Sequence, residues 1–157
     1  MISLARARPP IRPQRVVENG SLKSYLLDTY SARRLALHTA GHATRSAGDA
    51  PTVAPTNFSL EPGPHTPEAI IGSVRSGFYV TELIGFGVNT VTGDYSRGAA
   101  GLWIEDGRLT HAVEEVTIAG TLPEMFAGIE MIGDDLVFRS AVTAPTLKIA
   151  RLTVAGQ

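Results

Sequence analysis

The stretch TELIGFGVNTVTGDYSRGAAGLWIEDG, from Thr81 to Gly107, decides how this chain folds. It joins one apolar segment to a loop rich in Gly, Asn, Asp, Ser and Thr, and then to a second apolar segment. β-branched and aromatic residues favour strands, and the closing Asp106-Gly107 pair supplies the two positive φ angles of a tight hairpin turn. The pattern predicts a strand over 78–86, a glycine-rich loop after it, and a second hairpin over 100–120 on Asp106-Gly107, so that the segment from Gly85 to Gly101 forms a strand, a loop and a strand.

Similar signals along the rest of the chain predict the fold class. Asn19-Gly20 marks another hairpin, and Asp28 caps a helix that reaches residue 37. The remaining predicted elements are a helix from Thr66 to a closing Gly77, a helix that starts at a Thr121–Glu124 capping box, and two strands over 135–156. Hairpins with a few short helices between them indicate a β-rich α+β fold built on antiparallel sheets.

Length and composition predict one domain behind a tail. Residues 1–15 combine arginines with prolines and are expected to form a disordered basic tail, whereas 16–157 form the domain, with a long loop over about 38–65. Residues 1–48 hold eight Lys and Arg against two acids. The basic residues lie among prolines without aromatic neighbours, so a solvated tail is favoured over nucleic-acid binding. No apolar run is long enough for a membrane helix or a secretory signal, which favours a cytoplasmic protein.

His38 and His42 are the candidates for a metal-binding pair. Their spacing of four would place two imidazoles on one face of a helix, as in some zinc sites. A zinc peptidase would also need a glutamate after the first histidine, where this chain has Thr39, and Gly41 weakens a helix. The chain has no cysteine, which excludes disulfides and Cys-ligated zinc. We therefore predict no metal site, and a metallohydrolase using His38 and His42 with Asp49 is the alternative.

The glycine-rich segment lacks the Gly-Lys-Ser/Thr ending of a phosphate-binding loop. Its glycines permit positive φ angles or close backbone approach, and its Asn and Asp residues can bond their own backbone. It is interpreted either as a structural turn or as a loop that contacts a peptide or a partner. The residues of this candidate peptide or interface loop are Gly85, Gly87, Asn89, Thr92, Gly93, Asp94, Ser96, Arg97 and Gly98. No catalytic constellation is visible.

Five stretches in the same order resemble the TldD/PmbA family, the so-called modulators of DNA gyrase. They are VVENGSLKSYLLDTYSARRLAL from residue 16, TNFSLEPG from 56, VTELIGFGVNTVTGDYSRGAAGLWIEDGRLTHAVEEVTIAGTLPEMF from 80, MIGDDLVFRS from 131 and PTLKIARLTVAG from 145. Family members are longer, and the resemblance covers only their C-terminal portion. It implies a domain of a two-subunit peptidase.

The resemblance also implies which subunit type this chain represents. TldD-like subunits carry a His-Glu-x-x-x-His zinc motif and a later cysteine ligand, whereas PmbA/TldE-like subunits lack them. This chain has neither, and the stretch DDLVFRSAVTAPTLKIA from residue 134 lacks room for the cysteine-bearing insertion. The expected function is that of a non-catalytic subunit, inactive by itself, in proteolysis of small peptides or unfolded proteins. Zinc is expected in a TldD-like partner and not in this chain. If no partner is present, this chain is expected to self-associate. The other alternative is a peptide-binding module.

Overall fold

The computed structural model describes residues 13–39, 41–45 and 47–156. The predicted tail, residues 1–15, therefore lies mostly outside the described residues. The elements are β1 (Val17–Glu18), β2 (Ser21–Leu22), α1 (Thr29–Arg34), β3 (Ala43–Thr44), β4 (Thr52–Val53), β5 (Phe58–Ser59), α2 (Pro67–Gly72), β6 (Ser76–Ile84), β7 (Asp94–Glu105), β8 (Arg108–Thr121), α3 (Leu122–Ala127), β9 (Ile129–Ile132), β10 (Val142–Thr143), β11 (Leu147–Ile149) and β12 (Thr153–Ala155). Antiparallel strands predominate beside three short described helices, which confirms the β-rich α+β prediction.

The chain divides into two compact units. The first contains the described residues up to Phe58 together with Ser140–Val142, and the second contains Ser59–Arg139 and the described residues from Thr143 onward. No helix among residues 13–39, 41–45 and 47–156 is long and apolar enough to cross a membrane.

The first unit confirms the predicted hairpin and helix start. β1 and β2 pair antiparallel around Asn19 and Gly20, whose φ angles are 50° and 74°. The carboxylate of Asp28 accepts a hydrogen bond from the Ser31 backbone N–H at 2.6 Å and so caps α1. The helix ends at Arg34, three residues before the predicted limit, because Ala36 adopts a left-handed φ of 54°.

The predicted long loop over 38–65 contains regular structure as well. β3 and β4 pair antiparallel, with Ala43 opposite Val53, and β5 pairs with β10. These strands are only two residues long, which explains why periodicity did not reveal them.

A four-stranded antiparallel sheet in the order β12-β8-β7-β6 forms the centre of the second unit. Its middle is the predicted hairpin β7–β8, in which Asp106 and Gly107 have φ angles of 46° and 77°. The buried cluster of this sheet consists of Ala99, Val116 and Ile118, with Phe78, Tyr95 and Val113 packed against it. Most of the segment from Thr81 to Gly107 therefore lies in this sheet, as the end of β6 and the whole of β7.

The sheet contains β-bulges on both sides of β7. Thr81 is an extra residue in β6 between the pairs Val80–Gly101 and Glu82–Ala100, and β8 has one extra residue opposite Ala100 and another opposite Trp103. The hydroxyl of Thr81 donates to the Ala100 carbonyl at 3.2 Å. A threonine side chain thus binds a carbonyl at an interruption of the ladder, where the strands bend.

Two predicted boundaries and the predicted number of strands after residue 134 were wrong. β7 begins at Asp94, so the predicted loop, whose candidate residues reach Gly98, ends earlier. α2 ends at Gly72 with Ser73 as its C-cap, and Gly77 instead pairs with Ile104 in the sheet. The end of the chain forms three short strands and not two, because β10, β11 and β12 each pair with a different neighbour. The caps at Thr66 and Thr121 are confirmed by their bonds to the Ala69 and Glu124 N–H groups.

Candidate functional site

The loop over residues 85–93, which joins β6 to β7, is held closed by its own backbone. The Ser96 N–H donates to the Gly87 carbonyl at 2.7 Å, and the Asn89 N–H donates to the Asp94 carbonyl at 2.9 Å. The Gly93 N–H donates back to the Asn89 carbonyl at 2.8 Å. These bonds extend the β6–β7 ladder toward the tip of the loop and give the loop one defined conformation.

The polar side chains of the loop act mainly on the loop itself. The Asn89 amide oxygen accepts from the N–H groups of Val91 at 2.9 Å and Thr92 at 3.2 Å, which forms an Asx turn. The Thr92 hydroxyl donates to the Asp94 carboxylate at 2.6 Å. The Asn89 side chain thus bonds the backbone of its own loop, whereas the Asp94 carboxylate bonds the Thr92 side chain and no backbone group of the described residues.

Glycines are required in this loop for two different reasons. Gly85 and Gly93 have φ angles of 77° and 83°, which side-chain-bearing residues rarely adopt. Gly87 instead lies against strand β7, where a Cβ atom on residue 87 would come within 1.4 Å of the Ser96 carbonyl oxygen. The loop is also tied to the start of α3, because the Leu122 N–H donates to the Gly93 carbonyl at 2.7 Å.

The loop presents apolar side chains to solvent. Phe86 and Val91 are 106% and 93% exposed, and Ile84 and Val88 are also exposed. Residues 83–93 include no charged residue. The sequence analysis concentrated on the polar and glycine residues and missed these apolar ones. A signal for them was available in the sequence, because Phe86 and Val88 alternate with Gly85 and Gly87. Apolar residues within a segment predicted as a loop have no neighbouring strand to bury them.

The nine predicted loop residues divide into two groups. Gly85, Gly87, Asn89, Thr92 and Gly93 lie in the loop, whereas Asp94, Ser96, Arg97 and Gly98 belong to β7. The Arg97 guanidinium donates to the Leu83 carbonyl at 3.2 Å, and its Nε is buried without a hydrogen-bond partner among the described residues. Arg97 and Gly98 therefore support the β6–β7 pair that carries the loop.

His38 and His42 do not share a helical face, because α1 ends at Arg34. His38 is exposed, and His42 precedes β3, where its carbonyl accepts from the Ala54 N–H at 3.0 Å. Within residues 13–39, 41–45 and 47–156, no three His, Asp or Glu side chains form a group that could hold a metal ion. The structural basis for treating the histidine spacing as a helical zinc pair is therefore lost.

Nearly the whole length of this chain matches the model of one protein family. The model is that of the PmbA/TldA metallopeptidase C-terminal domain, and it covers residues 10–156. The chain therefore belongs to the PmbA/TldD family of metallopeptidase-like proteins, as the resemblance predicted.

The relatives include sequences and solved structures. The chain is 37% identical over 142 residues to metalloprotease PmbA of Escherichia coli O157:H7, a match that includes 90% of this chain and 30% of that protein. A candidate modulator of DNA gyrase from Thermotoga maritima has 31% identity and a TM-score of 0.81, with 89% of this chain and 32% of that chain covered. TldE from Thermococcus kodakarensis has 24% identity and a TM-score of 0.81 over 90% and 33%, which shows the fold alone. The chain thus spans about a third of the length of these relatives.

TldD-type relatives align differently. A metalloprotease TldD homologue from Buchnera aphidicola of Schizaphis graminum is 27% identical over 157 aligned positions, which include 90% of this chain and 32% of that protein. Since 90% of this chain is about 141 residues, about 16 aligned positions of the TldD homologue have no counterpart here. The PmbA alignment needs 142 positions for the same 90% and is nearly free of such gaps.

Proposed function

We propose that this chain acts as the C-terminal part of a non-catalytic, PmbA/TldE-type subunit. In this role it assembles with a TldD-type zinc metallopeptidase that degrades small peptides or unfolded proteins. The observation that carries the proposal is the difference between the two alignments. The chain aligns with PmbA at 37% identity almost without gaps, and it is shorter than the TldD homologue by about 16 positions within the aligned region.

The local structure of the 134–150 stretch supports this assignment. The family resemblance places a cysteine-bearing insertion of the catalytic type there. In this chain, the Asp135 carboxylate accepts from the Thr146 backbone N–H at 2.9 Å and from the Thr146 hydroxyl at 2.8 Å. The Gly133 N–H also donates to the Thr146 carbonyl at 2.7 Å. The base of the stretch is thus closed by hydrogen bonds that an insertion would have to preserve or replace.

The Gly85–Gly93 loop is the surface that we assign to the partner or to its peptide. Large aromatic side chains often contribute much of the binding energy at interfaces, with less energetic contacts around them that exclude water. Phe86 and Val91 are nearly fully exposed on a loop fixed by the Asn89 turn and by the bond to Leu122. The loop presents exposed apolar surface with no charged side chain, which suits an apolar pocket on the partner.

Zinc belongs to the partner in this proposal. The role of this chain is to complete the subunit interface and to border the place where an extended peptide lies. Its own residues supply apolar contact at the loop and a hydrogen-bonded scaffold behind it. The histidines His38 and His42 have no part in catalysis.

Coexpression tests the proposal. The 157-residue chain, a TldD-type chain from the same genome, and both together are purified without chelator and assayed for zinc and for hydrolysis of short unstructured peptides. We expect a complex that cleaves peptides, zinc in the TldD-type chain, and no activity from this chain alone. Hydrolysis by this chain alone, lost with zinc in the H38A/H42A variant, would instead establish the stand-alone metallohydrolase.

A further inference from the structure

The chain contains two hairpin turns of similar chemistry, Asn19-Gly20 between β1 and β2 and Asp106-Gly107 between β7 and β8. Their φ angles nearly coincide, at 50° and 74° in the first turn and 46° and 77° in the second. An Asn or Asp residue before glycine can react with its own backbone, because no side chain on the glycine hinders attack by its nitrogen on the neighbouring side-chain carbonyl. The two turns therefore allow the effect of surroundings on this reaction to be compared within one protein.

The Asp106-Gly107 turn is packed against the end of α2. The Asp106 N–H donates to the Arg75 carbonyl at 2.7 Å, and the Gly107 N–H donates to the Val74 carbonyl at 2.8 Å. A Cβ atom on Gly107 would stand 2.8 Å from the Gly72 carbonyl oxygen, so the turn has little space to rearrange. Strands of 12 and 14 residues hold its two sides. The nitrogen of this glycine is thus held by a hydrogen bond and kept from the neighbouring carboxyl.

The Asn19-Gly20 turn lacks these restraints. Both residues are exposed, and the Gly20 N–H bonds to no described residue. Apart from the chain neighbours, no described atom lies within 4 Å of a Cβ built on Gly20. β1 and β2 have two residues each and form a sheet of their own. Since isolated two-stranded hairpins are only marginally stable, this turn opens at little cost in free energy.

The chain has two other asparagines, Asn57 and Asn89, and both are poor sites for this reaction. They are followed by a phenylalanine and a threonine, whose side chains hinder the backbone nitrogen. The Asn89 amide oxygen also accepts two backbone hydrogen bonds, at 2.9 and 3.2 Å, which fix the side chain within its own loop. Asn19 alone among the asparagines precedes a glycine, and within the described part of the chain that glycine nitrogen is unbonded.

We propose that Asn19 is a site of spontaneous deamidation, at which the chain converts into aspartate and isoaspartate forms. The Gly20 nitrogen loses its proton to base and attacks the Asn19 Cγ atom. The Cγ–Nδ2 bond breaks, and the amide nitrogen takes up a proton from solvent and leaves as ammonia, which gives a five-membered succinimide. One water molecule then opens this ring. Cleavage of the bond from the ring nitrogen to Cγ gives aspartate, and cleavage of the bond to the backbone carbonyl carbon gives isoaspartate.

The two products act differently on the hairpin. Aspartate keeps the length of the backbone and tolerates the positive φ of residue 19, so the turn persists with one added negative charge. Isoaspartate routes the chain through the side-chain methylene and lengthens the backbone of the turn by one atom. The pairs Val17–Leu22 and Glu18–Ser21 depend on the length of the turn. The isoaspartate form is therefore expected to lose the β1–β2 pairing.

Peptide mass mapping tests the proposal. The full chain is incubated at physiological temperature in mildly alkaline buffer, and a parallel sample is incubated in guanidinium chloride, which opens both turns. Trypsin cleaves after Arg15 and Lys23 and so releases residues 16–23, and an unincubated sample corrects for conversion during digestion. In the folded chain, we expect this peptide to deamidate at least tenfold faster than those containing Asn57 or Asn89. Isomerisation of Asp106 should occur only in the denaturant. Conversion of Asn19 in the denaturant but not in the folded chain would overturn the proposal.

Two variants and the separated products test the chemistry and its effect on the hairpin. Asn19→Gly permits the positive φ and removes the amide, so its 16–23 peptide should not change in mass. Asn19→Asp carries the charge of the products on an unaltered backbone. Hydrogen–deuterium exchange monitors the Lys23 N–H, which donates to the Val16 carbonyl at 2.8 Å. We expect exchange at least tenfold faster in the isoaspartate form, isolated by chromatography, and parent-like exchange in Asn19→Asp. Parent-like exchange in the isoaspartate form would contradict the loss of the hairpin.

Discussion

Gly87 and Ser96 lie back to back across the base of the Gly85–Gly93 loop, with the Ser96 N–H bonded to the Gly87 carbonyl at 2.7 Å. A Cβ atom on residue 87 would stand 1.4 Å from the Ser96 carbonyl oxygen. The exposed Phe86 precedes this contact directly, so the contact fixes the direction in which the loop leaves β6. The loop thus depends on the absence of a side chain at one position.

Gly87→Ala is expected to destabilise the chain by about 1–3 kcal/mol, because the strand backbone must move to admit the methyl group. The control is Gly85→Ala, where no atom lies within 4 Å of the added Cβ and the cost comes from its φ of 77°. That cost is about 1–2 kcal/mol. Urea unfolding measures both. A destabilisation by Gly87→Ala of less than about 1 kcal/mol would mean that the backbone relaxes freely at Ser96.

Glu115→Gly is expected to stabilise the chain by about 0.5–1 kcal/mol, since Glu115 adopts a left-handed φ of 55° at a bulge in β8. Glycine removes the left-handed penalty of about 1–2 kcal/mol and adds about 0.5–1 kcal/mol of backbone entropy loss. The neighbouring Glu114→Gly lacks the first term and should destabilise. Thermal unfolding of the pair provides the measurement, and a loss of stability in both variants would argue against strain at Glu115.

Asp135→Asn should make the stability of the chain less dependent on pH in the acid range. Hydrogen bonds from the Thr146 backbone and hydroxyl lower the pKa of the Asp135 carboxyl. A lowered folded-state pKa contributes stability above the unfolded pKa, and this stability is lost as the pH falls through the folded pKa. Asp135→Asn is therefore expected to be less stable than the parent at neutral pH, with the difference shrinking below about pH 4.

Denaturant unfolding at neutral and acid pH checks the expectation for Asp135. Asp28, whose pKa is also lowered by its bonds to Ser31, is unchanged in both proteins and does not affect the comparison. Asp134→Asn is the matched control, since it removes the neighbouring carboxylate and keeps the bonds between Asp135 and Thr146. A difference between Asp135→Asn and the parent that stays constant with pH would assign the effect to shape and not to charge.

Phe86→Ser should separate stability from assembly. Phe86 is 106% exposed, so its replacement should change the free energy of unfolding by less than about 0.5 kcal/mol. If the loop meets a TldD-type partner, loss of this aromatic anchor should weaken the complex about tenfold or more. Calorimetric titration measures the affinity. Phe126→Ser, at a residue 70% exposed on α3, is the control for a general loss of apolar surface. Equal weakening by both variants would contradict a specific role for the loop.

The sequence determined the features that depend on neighbours a few residues apart. Asn19-Gly20 and Asp106-Gly107 form the predicted hairpins, because their positive φ angles are local properties of these residues. Asp28, Thr66 and Thr121 cap helices through bonds to N–H groups three residues ahead. The family motifs belong to the same level, since they are patterns along the chain.

Only the tertiary structure decided where the glycine-rich segment stops being a loop. Gly98 is among the predicted loop residues, yet it lies within β7. In the same strand, Gly101 packs so closely on Tyr79 that a Cβ would stand 2.0 Å from its carbonyl oxygen. Likewise, Trp103 and Ile149 meet in one groove although nothing in the chain between them predicts it. Local propensities act over a few residues, whereas strand pairing and burial join residues that are remote in sequence. A glycine chosen for close packing and a glycine chosen for a turn therefore look alike until the partner strand is in place.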